Sequence, residues 1–233
     1  MQVNAGTNVH DFKRQLKRVE RRHVPFAYFQ ALNKTAFQAM KDTRKLMRAS
    51  FDRPITPYFV SGIVYQKANY EDRKSIDKMF ARVDIEDYGN KGQPRRDQVK
   101  PHIEGGSRKQ KKAEHLILGS GRYFYPGRTI ERNKYGNLMP GHIGKAISDV
   151  GKNFDPKQNT KRKKKKYFAI NTNKQRTIIM RRDGNNVQPY MVEGRKPQYR
   201  ARFDFYGGVR RSVKKNFTRN MQQSLRRAIK NAK

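Results

Sequence analysis

The sequence predicts an α+β protein, with a long N-terminal helix and a basic C-terminal helix packed on a small, mostly antiparallel sheet, joined by long loops. Three observations carry that expectation. Apolar residues recur at helical spacing over Phe26 to Ser50 and again over Val209 to Lys230. Alternating residues from Met79 to Ile85, and an Asp183-Gly184 turn between apolar stretches, read as strands. Between these segments lie runs rich in Gly and Pro that break regular structure.

Along the chain, Asp11 to Arg22 reads as a short basic helix with Phe12, Leu16 and Val19 at helical spacing. Pro25 suits the first turn of the next helix, where its missing N–H is no loss. That helix buries Phe26, Phe29, Ala36, Phe37, Met40 and Met47, widened by Leu32, Ala39 and Leu46, and stops before Pro54 and Pro57. Tyr58 to Tyr65 is expected as a strand, and Met79, Ala81, Val83 and Ile85 form the inward side of a second. Tyr88 to Gly106 is loop-rich, Ser107 caps a basic helix to about Leu118, and Gly119 to Gly136 is irregular. Ile143, Ala146, Ile147 and Val150 mark a short helix closed by Gly151. Strands follow at Tyr167 to Ile170, Thr177 to Arg181 and Val187 to Val192. In the last helix Val209, Val213, Phe217, Met221, Leu225 and Ile229 are each four apart, a spacing that drifts around the helix and requires a broad buried face. Residues 1–24 are read as a basic arm and 25–233 as a single body carrying a basic loop at 157–166.

Composition narrows the function. Lys and Arg total 55 against 19 Asp and Glu, a formal net charge of +36, so a compact monomer repels itself unless anions lie close. Thirteen Phe and twelve Tyr argue for a folded body rather than a disordered polycation. The absence of Cys excludes disulfides, Cys-based zinc sites and thiol nucleophiles. No apolar run approaches membrane-spanning length, so a soluble protein made in a cytoplasm, with no membrane partner, is expected.

The charge is concentrated. Lys157 to Arg182 holds eleven Lys or Arg and no acid, with the run Lys161, Arg162, Lys163, Lys164, Lys165, Lys166 at its centre. Such a block suits a sequence-blind phosphate contact, although an isolated run can also be a solvated loop. After Asp204 nine further Lys or Arg occur without an acid, and Lys215, Arg219, Arg226 and Lys230 fall within one helical stripe. An ordinary solvent face would mix Glu with Lys, so this stripe points to a polyanion. Tyr123, Phe124, Tyr125, Tyr199, Phe203 and Phe205 are interleaved with Arg; they are read as packing and interface anchors rather than as a base-stacking platform.

Catalysis finds little support. His10, His23, His102, His115 and His142 lack zinc-type spacing. Asp84, Glu86 and Asp87 could in principle bind Mg²⁺, yet pairing with the surrounding base is the expectation. Gly105-Gly106-Ser107 lacks a P-loop or dinucleotide fingerprint. Neither metal nor cofactor is expected.

The order of features has a counterpart. Ala31 to Ala36 (Ala-Leu-Asn-Lys-Thr-Ala), Val99 to Gly106, Met139 to Ile143, a basic linker and Tyr199 to Tyr206 running into a basic helix follow one another. Together these resemble the minor tail protein Z group of lambdoid phages and related head–tail joining proteins. The resemblance implies a non-enzymatic virion protein at the tail or head–tail junction, part of a homo-oligomeric ring that meets other tail or portal proteins and lies near the DNA end. It implies no catalytic residues. Two rivals remain: an RNA-binding ribosomal or ribosome-assembly protein, and a metal-dependent nuclease using the acids near Asp84.

Overall fold

The structure, a computed structural model, describes residues 17, 19–74, 76–87, 94–128, 130–137, 139–151, 166–173 and 176–231. In chain order these form α1 (Val24–Ala49), α2 (Pro57–Ser61), β1 (Ile63–Gln66), β2 (Arg82–Ile85), α3 (Arg95–Glu104), α4 (Lys112–Leu118), β3 (Tyr123–Pro126), α5 (Pro140–Val150), β4 (Tyr167–Asn171), β5 (Thr177–Asp183), β6 (Asn186–Gly194) and α6 (Phe205–Lys230). The α+β class is as expected. The chain divides into two compact units: Met1–Ser50, Pro57–Glu86 and Phe203–Lys233 in the first, Phe51–Thr56 and Asp87–Arg202 in the second.

In the first unit α1 is the middle element. Pro25 sits in its first turn, as its chemistry favours, and a π-helical turn at Val19–His23 leads directly into it. Phe12 and Leu16 of the expected N-terminal helix lie outside the described residues. The fully buried ridge of α1 is Ala27, Ala31, Thr35, Ala39, Thr43 and Met47, one residue in every four. The matching ridge of α6 is Ser212, Asn216, Asn220, Ser224 and Ala228. Both ridges are made mostly of small side chains, with Met47 at one end of the α1 ridge. Of the residues expected to be buried on α1, Ala36, Ala39, Met40 and Met47 are buried, and the rest of that expectation is corrected. Phe37 is exposed, and on α6 the row from Val209 to Ile229 lies one residue, or about 100°, beyond the buried ridge. The apolar row runs along the flank of the seam, where Phe217 meets the Tyr28 ring edge-on at 5.9 Å.

Pairs across the seam run in opposite directions. Asn220 Nδ2 donates to Thr35 Oγ1 and to Gln38 Oε1, each at 2.9 Å. Ser212 Oγ donates to Asp42 Oδ2 at 2.6 Å, and Lys34 Nζ to Gln223 Oε1 at 2.7 Å. At one end Gly208 lies against Leu46, and a Cβ there would stand 2.6 Å from that side chain. On α1's other side, Arg44 Nε donates to Ile63 O at 2.9 Å and Asn33 Oδ1 accepts from Ala68 N at 2.8 Å, seating the antiparallel pair β1–β2. The strand expected over Tyr58 to Tyr65 is instead the short helix α2 followed by β1. The alternation around β2 holds in part, with Met79 and Ile85 buried and Phe80 exposed.

The second unit is built on a four-stranded antiparallel sheet in the order β3-β6-β5-β4. Gly184, at φ 59°, turns β5 into β6 so that Asp183 pairs with Asn186. Leu118, Phe124, Ile130, Ala146, Val150, Tyr167, Ala169, Ile179 and Tyr190 form the core between the sheet, α4 and α5. Gly151, at φ 82°, ends α5 as expected, its N–H reaching Ile147 O at 2.9 Å.

Three expectations fail here. Arg95–Glu104, read as loop, is helical and carries Pro101 buried inside it. The next helix begins at Lys112 rather than Ser107, because the Glu114 carboxylate accepts the Lys111 N–H at 2.8 Å and caps it. Tyr123–Pro126, read as irregular, is an edge strand on β6.

Candidate nucleic-acid interface

Helix α6 starts at an Asp204 cap whose Oδ1 accepts the Gly207 N–H at 2.9 Å. The first turn needs glycine at 207, since a Cβ there would stand 2.2 Å from Asp204 Oδ2. Arg211 donates to the same carboxylate at 2.9 Å. That bond first, and the Gly207 N–H next, hold the Asp204 carboxyl below its ordinary value.

Beyond this cap the helix has no acid. Residues four apart form rows along a helix surface. The first row of α6 is the small ridge in the seam and the second is the apolar row Val209 to Ile229. Arg210, Lys214, Arg226 and Lys230 lie on the third row, facing away from α1, and Arg211, Lys215, Arg219 and Arg227 on the fourth. All eight cations are exposed. The candidates Lys215, Arg219, Arg226 and Lys230 thus occupy two adjacent rows. Arg219 Nη2 donates to Asn216 Oδ1 at 2.8 Å. Period-four reading of the sequence would also have found Arg210, Arg211, Lys214 and Arg227.

Among the described residues, α6 makes one ion pair, Arg211–Asp204, while the second unit holds Arg108–Glu114, Arg122–Glu193, Lys109–Asp97, Lys145–Asp149, Arg181–Asp183 and Arg202–Asp52 among others. Glu114 is buried, and burial pushes its carboxyl up. Hydrogen bonds from Arg108, Lys111 N and Phe124 N outweigh that and hold it below the ordinary value. Burial likewise pushes Glu193 up, while Arg122 and the Thr177 N–H bring it down below normal. The second unit pairs several of its acids with its own base, and on α6 the Asp204 carboxylate at the cap takes Arg211 and lies within the influence of Arg210.

Of the remaining basic candidates, Lys166 is exposed just before β4, and its carbonyl accepts the Arg182 N–H at 2.8 Å. Lys161, Arg162, Lys163, Lys164 and Lys165 lie outside the described residues. The aromatic candidates divide. Tyr123 and Phe124 are buried in the second unit, and the Arg108 guanidinium sits 5.1 Å over the Tyr123 ring. Phe203 and Phe205 are buried in the first unit, their rings 5.9 Å apart. These four are used by their own fold, because inward strand positions and the helix entry take the largest apolar groups available. Tyr125 is exposed, with its hydroxyl donating to Arg195 O at 3.0 Å, and Tyr199 is half-buried against His102 at 5.0 Å.

Asp84 Oδ1 accepts the N–H of the neighbouring Ile85 at 2.8 Å. Among the described residues no group of three or more His, Asp or Glu is placed to hold a metal ion, and no helix is long and apolar enough to cross a membrane. No protein-family model, curated protein or solved structure matches the chain.

Proposed function

We propose that this chain is a structural virion protein of a phage tail or head–tail junction, a ring-forming tail-completion component whose basic surface faces packaged DNA. The observation that supports it most is α6: eight exposed cations, one carboxylate partner among the described residues, and no acid after the cap. Exposed cations without counter-charges release phosphate counterions when they bind DNA, which yields affinity without sequence preference. The head–tail assignment draws on the Tyr199 to Tyr206 segment running into that helix, the most telling part of the resemblance. The work performed is assembly: phosphate contact through charge, and contact with further copies and with tail or portal proteins.

The test is a salt titration of duplex DNA binding with the full chain. Replacing Lys215, Arg219, Arg226 and Lys230 by Gln is expected to reduce the slope of log affinity against log salt by up to about 3.6, at about 0.9 for each phosphate no longer neutralised. Replacing Lys161 to Lys166 by Gln probes the second basic block in the same way. An unchanged slope in both variants refutes the DNA-facing reading. Electron microscopy of the purified assembly is expected to show rings or tails; cosedimentation with ribosomes and not with virions would refute the virion reading. DNA cleavage that needs a divalent metal and is lost in Asp84→Ala would replace assembly by nuclease chemistry.

A further inference from the structure

We infer that the outward face of the second unit's sheet is a docking face for a partner protein's helix, apolar along one side and acidic at both ends. The inference does not depend on whether α6 meets DNA. An antiparallel sheet with one wet face alternates apolar inward and polar outward. This sheet does not. On its inner side Tyr167, Ala169, Ile179 and Tyr190 join the core with α4 and α5. On the other side Ile170, Ile178, Val192 and Tyr125 are register partners in turn, so one apolar row crosses all four strands. Phe168, Met180 and Pro189 make a second row beside it. Strand pairing fixes both rows on one face. Ile170 is 39%, Tyr125 41% and Val187 47% exposed, while Phe168, Ile178, Met180 and Val192 are half-buried. At one corner the Arg108 guanidinium covers Tyr123, and the face is open from Tyr125 onward. Ile178 and Met180 point outward and Ile179 inward, so β5 is apolar on both sides, the pattern of a strand that is covered twice.

The occupant lies on the face rather than along an edge. On β3 the Phe124 N–H is given to Glu114 and Pro126 has none, and on β4 the Tyr167 N–H is given to Asp149. A further strand finds these donors taken. Three strand gaps and five residues make the face about 14 Å by about 17 Å. That is well under the about 800 Å² each partner gives to a standard interface, so a second copy packed sheet to sheet is held too weakly. It matches about three turns of helix, about 16 Å long. Charge sets the ends. Lys166 and Arg182 are neighbours at one end, the Arg182 guanidinium 5.0 Å over the Phe168 ring, and Arg176 is exposed at the other. The outward positions of the four strands hold no acid. A second copy would also set cation against cation. Nucleic acid would meet the cations but lay a charged backbone on Ile170, Ile178, Met180 and Val192. An apolar stripe with acids at both ends satisfies the centre and the rim together.

The experiment uses the full chain and a stapled helical peptide of about 15 residues, with Leu at alternating three- and four-residue spacing and two Glu at each end. A control peptide carries Gln for Glu. Fluorescence anisotropy is expected to show the Glu peptide binding at least about tenfold more tightly than the Gln peptide. Ile170→Ser with Val187→Ser, and separately Lys166→Gln with Arg182→Gln, are each expected to weaken it about tenfold. Lys215→Gln with Arg219→Gln on α6 is expected to weaken it by less than about twofold. Circular dichroism checks each fold, and Ile170→Ser or Val187→Ser alone keeps the test open if the double variant unfolds. No binding, equal binding of both peptides, or binding unchanged by the Ser variants would overturn the inference. So would an oligothymidylate that displaces the peptide and loses its own binding in the Ser variants, or self-association abolished by them. Peptide binding kept in an α6 variant that has lost its DNA salt slope supports the sheet face and separates it from the DNA reading.

Discussion

Replacing Glu114 by Gln tests whether one buried carboxylate organises the second unit. Its two oxygens accept four N–H groups: two from Arg108, the Lys111 N–H at 2.8 Å and the Phe124 N–H at 3.0 Å. They join the residues before α4, the first turn of α4 and the start of β3. An amide in the same place turns one acceptor oxygen into a donor, so two N–H groups lose their partner and the Arg108 charge loses its counter-ion. Removing one member of a buried ion pair costs about 3–5 kcal/mol. At about 2–4 °C per kcal/mol for a chain of this size, Tm falls by about 6–20 °C. Calorimetry at neutral pH reads that shift directly. The sign with pH is also fixed: the folded carboxyl lies below its ordinary value of 4.5, so its contribution is complete above that pH and lost as pH falls through the folded value. The gap in Tm between the native chain and Glu114→Gln must therefore narrow in acid. A drop of less than about 2 °C at neutral pH, or a gap that does not change with acid, refutes the reasoning.

Two further outcomes follow from single positions in the same sheet. Tyr190 is fully buried, its hydroxyl has no hydrogen-bond partner among the described residues, and burial first, then the Tyr167 ring at 4.9 Å, pushes it up to about 12. Tyr190→Phe is expected to keep or raise stability in urea unfolding, by up to about 1–3 kcal/mol, because an unpaired buried hydroxyl is removed; a clear loss would show that the hydroxyl is satisfied. Since the folded value lies above the ordinary one, the native chain loses stability as pH rises from 10 towards 12, and Tyr190→Phe is expected to lose less. Gly127→Ala is expected to separate β3 from β6, since the added Cβ would stand 2.0 Å from Pro189 O, a backbone atom that cannot step aside. Hydrogen exchange at the Gly127 N–H, which reaches Tyr190 O at 2.9 Å, would report that separation; unchanged protection would refute it.

The helices of the first unit and the β5–β6 hairpin were legible because Pro25, the four-residue spacing and Asp183-Gly184 are local signals with direct geometric meaning. The burial pattern was not. Hydrophobicity pointed to the Val209 row, while the neighbouring row of Ser, Asn and Ala lies in the seam, and no local signal ranks those two rows. The helix at Arg95–Glu104 was hidden by the breakers around it and by Pro101, whose place depends on tertiary packing. The start of α4 was missed because its cap is a Glu inside the helix, not a Ser before it. For the site, acid-free charge was readable and all four α6 candidates are exposed. The aromatic candidates were mostly absorbed by the core, since Tyr123, Phe124, Phe203 and Phe205 meet inward positions that sequence alone could not assign.

The pairing of α1 with α6 has a consequence for synthesis. A ribosome releases α1 long before α6 exists, and all of the second unit emerges in between. The first unit is therefore completed late, while the intervening segment can form its sheet from strands already translated. During that wait the surface of α1 that α6 will cover, which includes Tyr28, Thr35, Asp42 and Leu46, stays open. In this chain the α1–α6 seam cannot close until the whole second unit between the two helices has been translated.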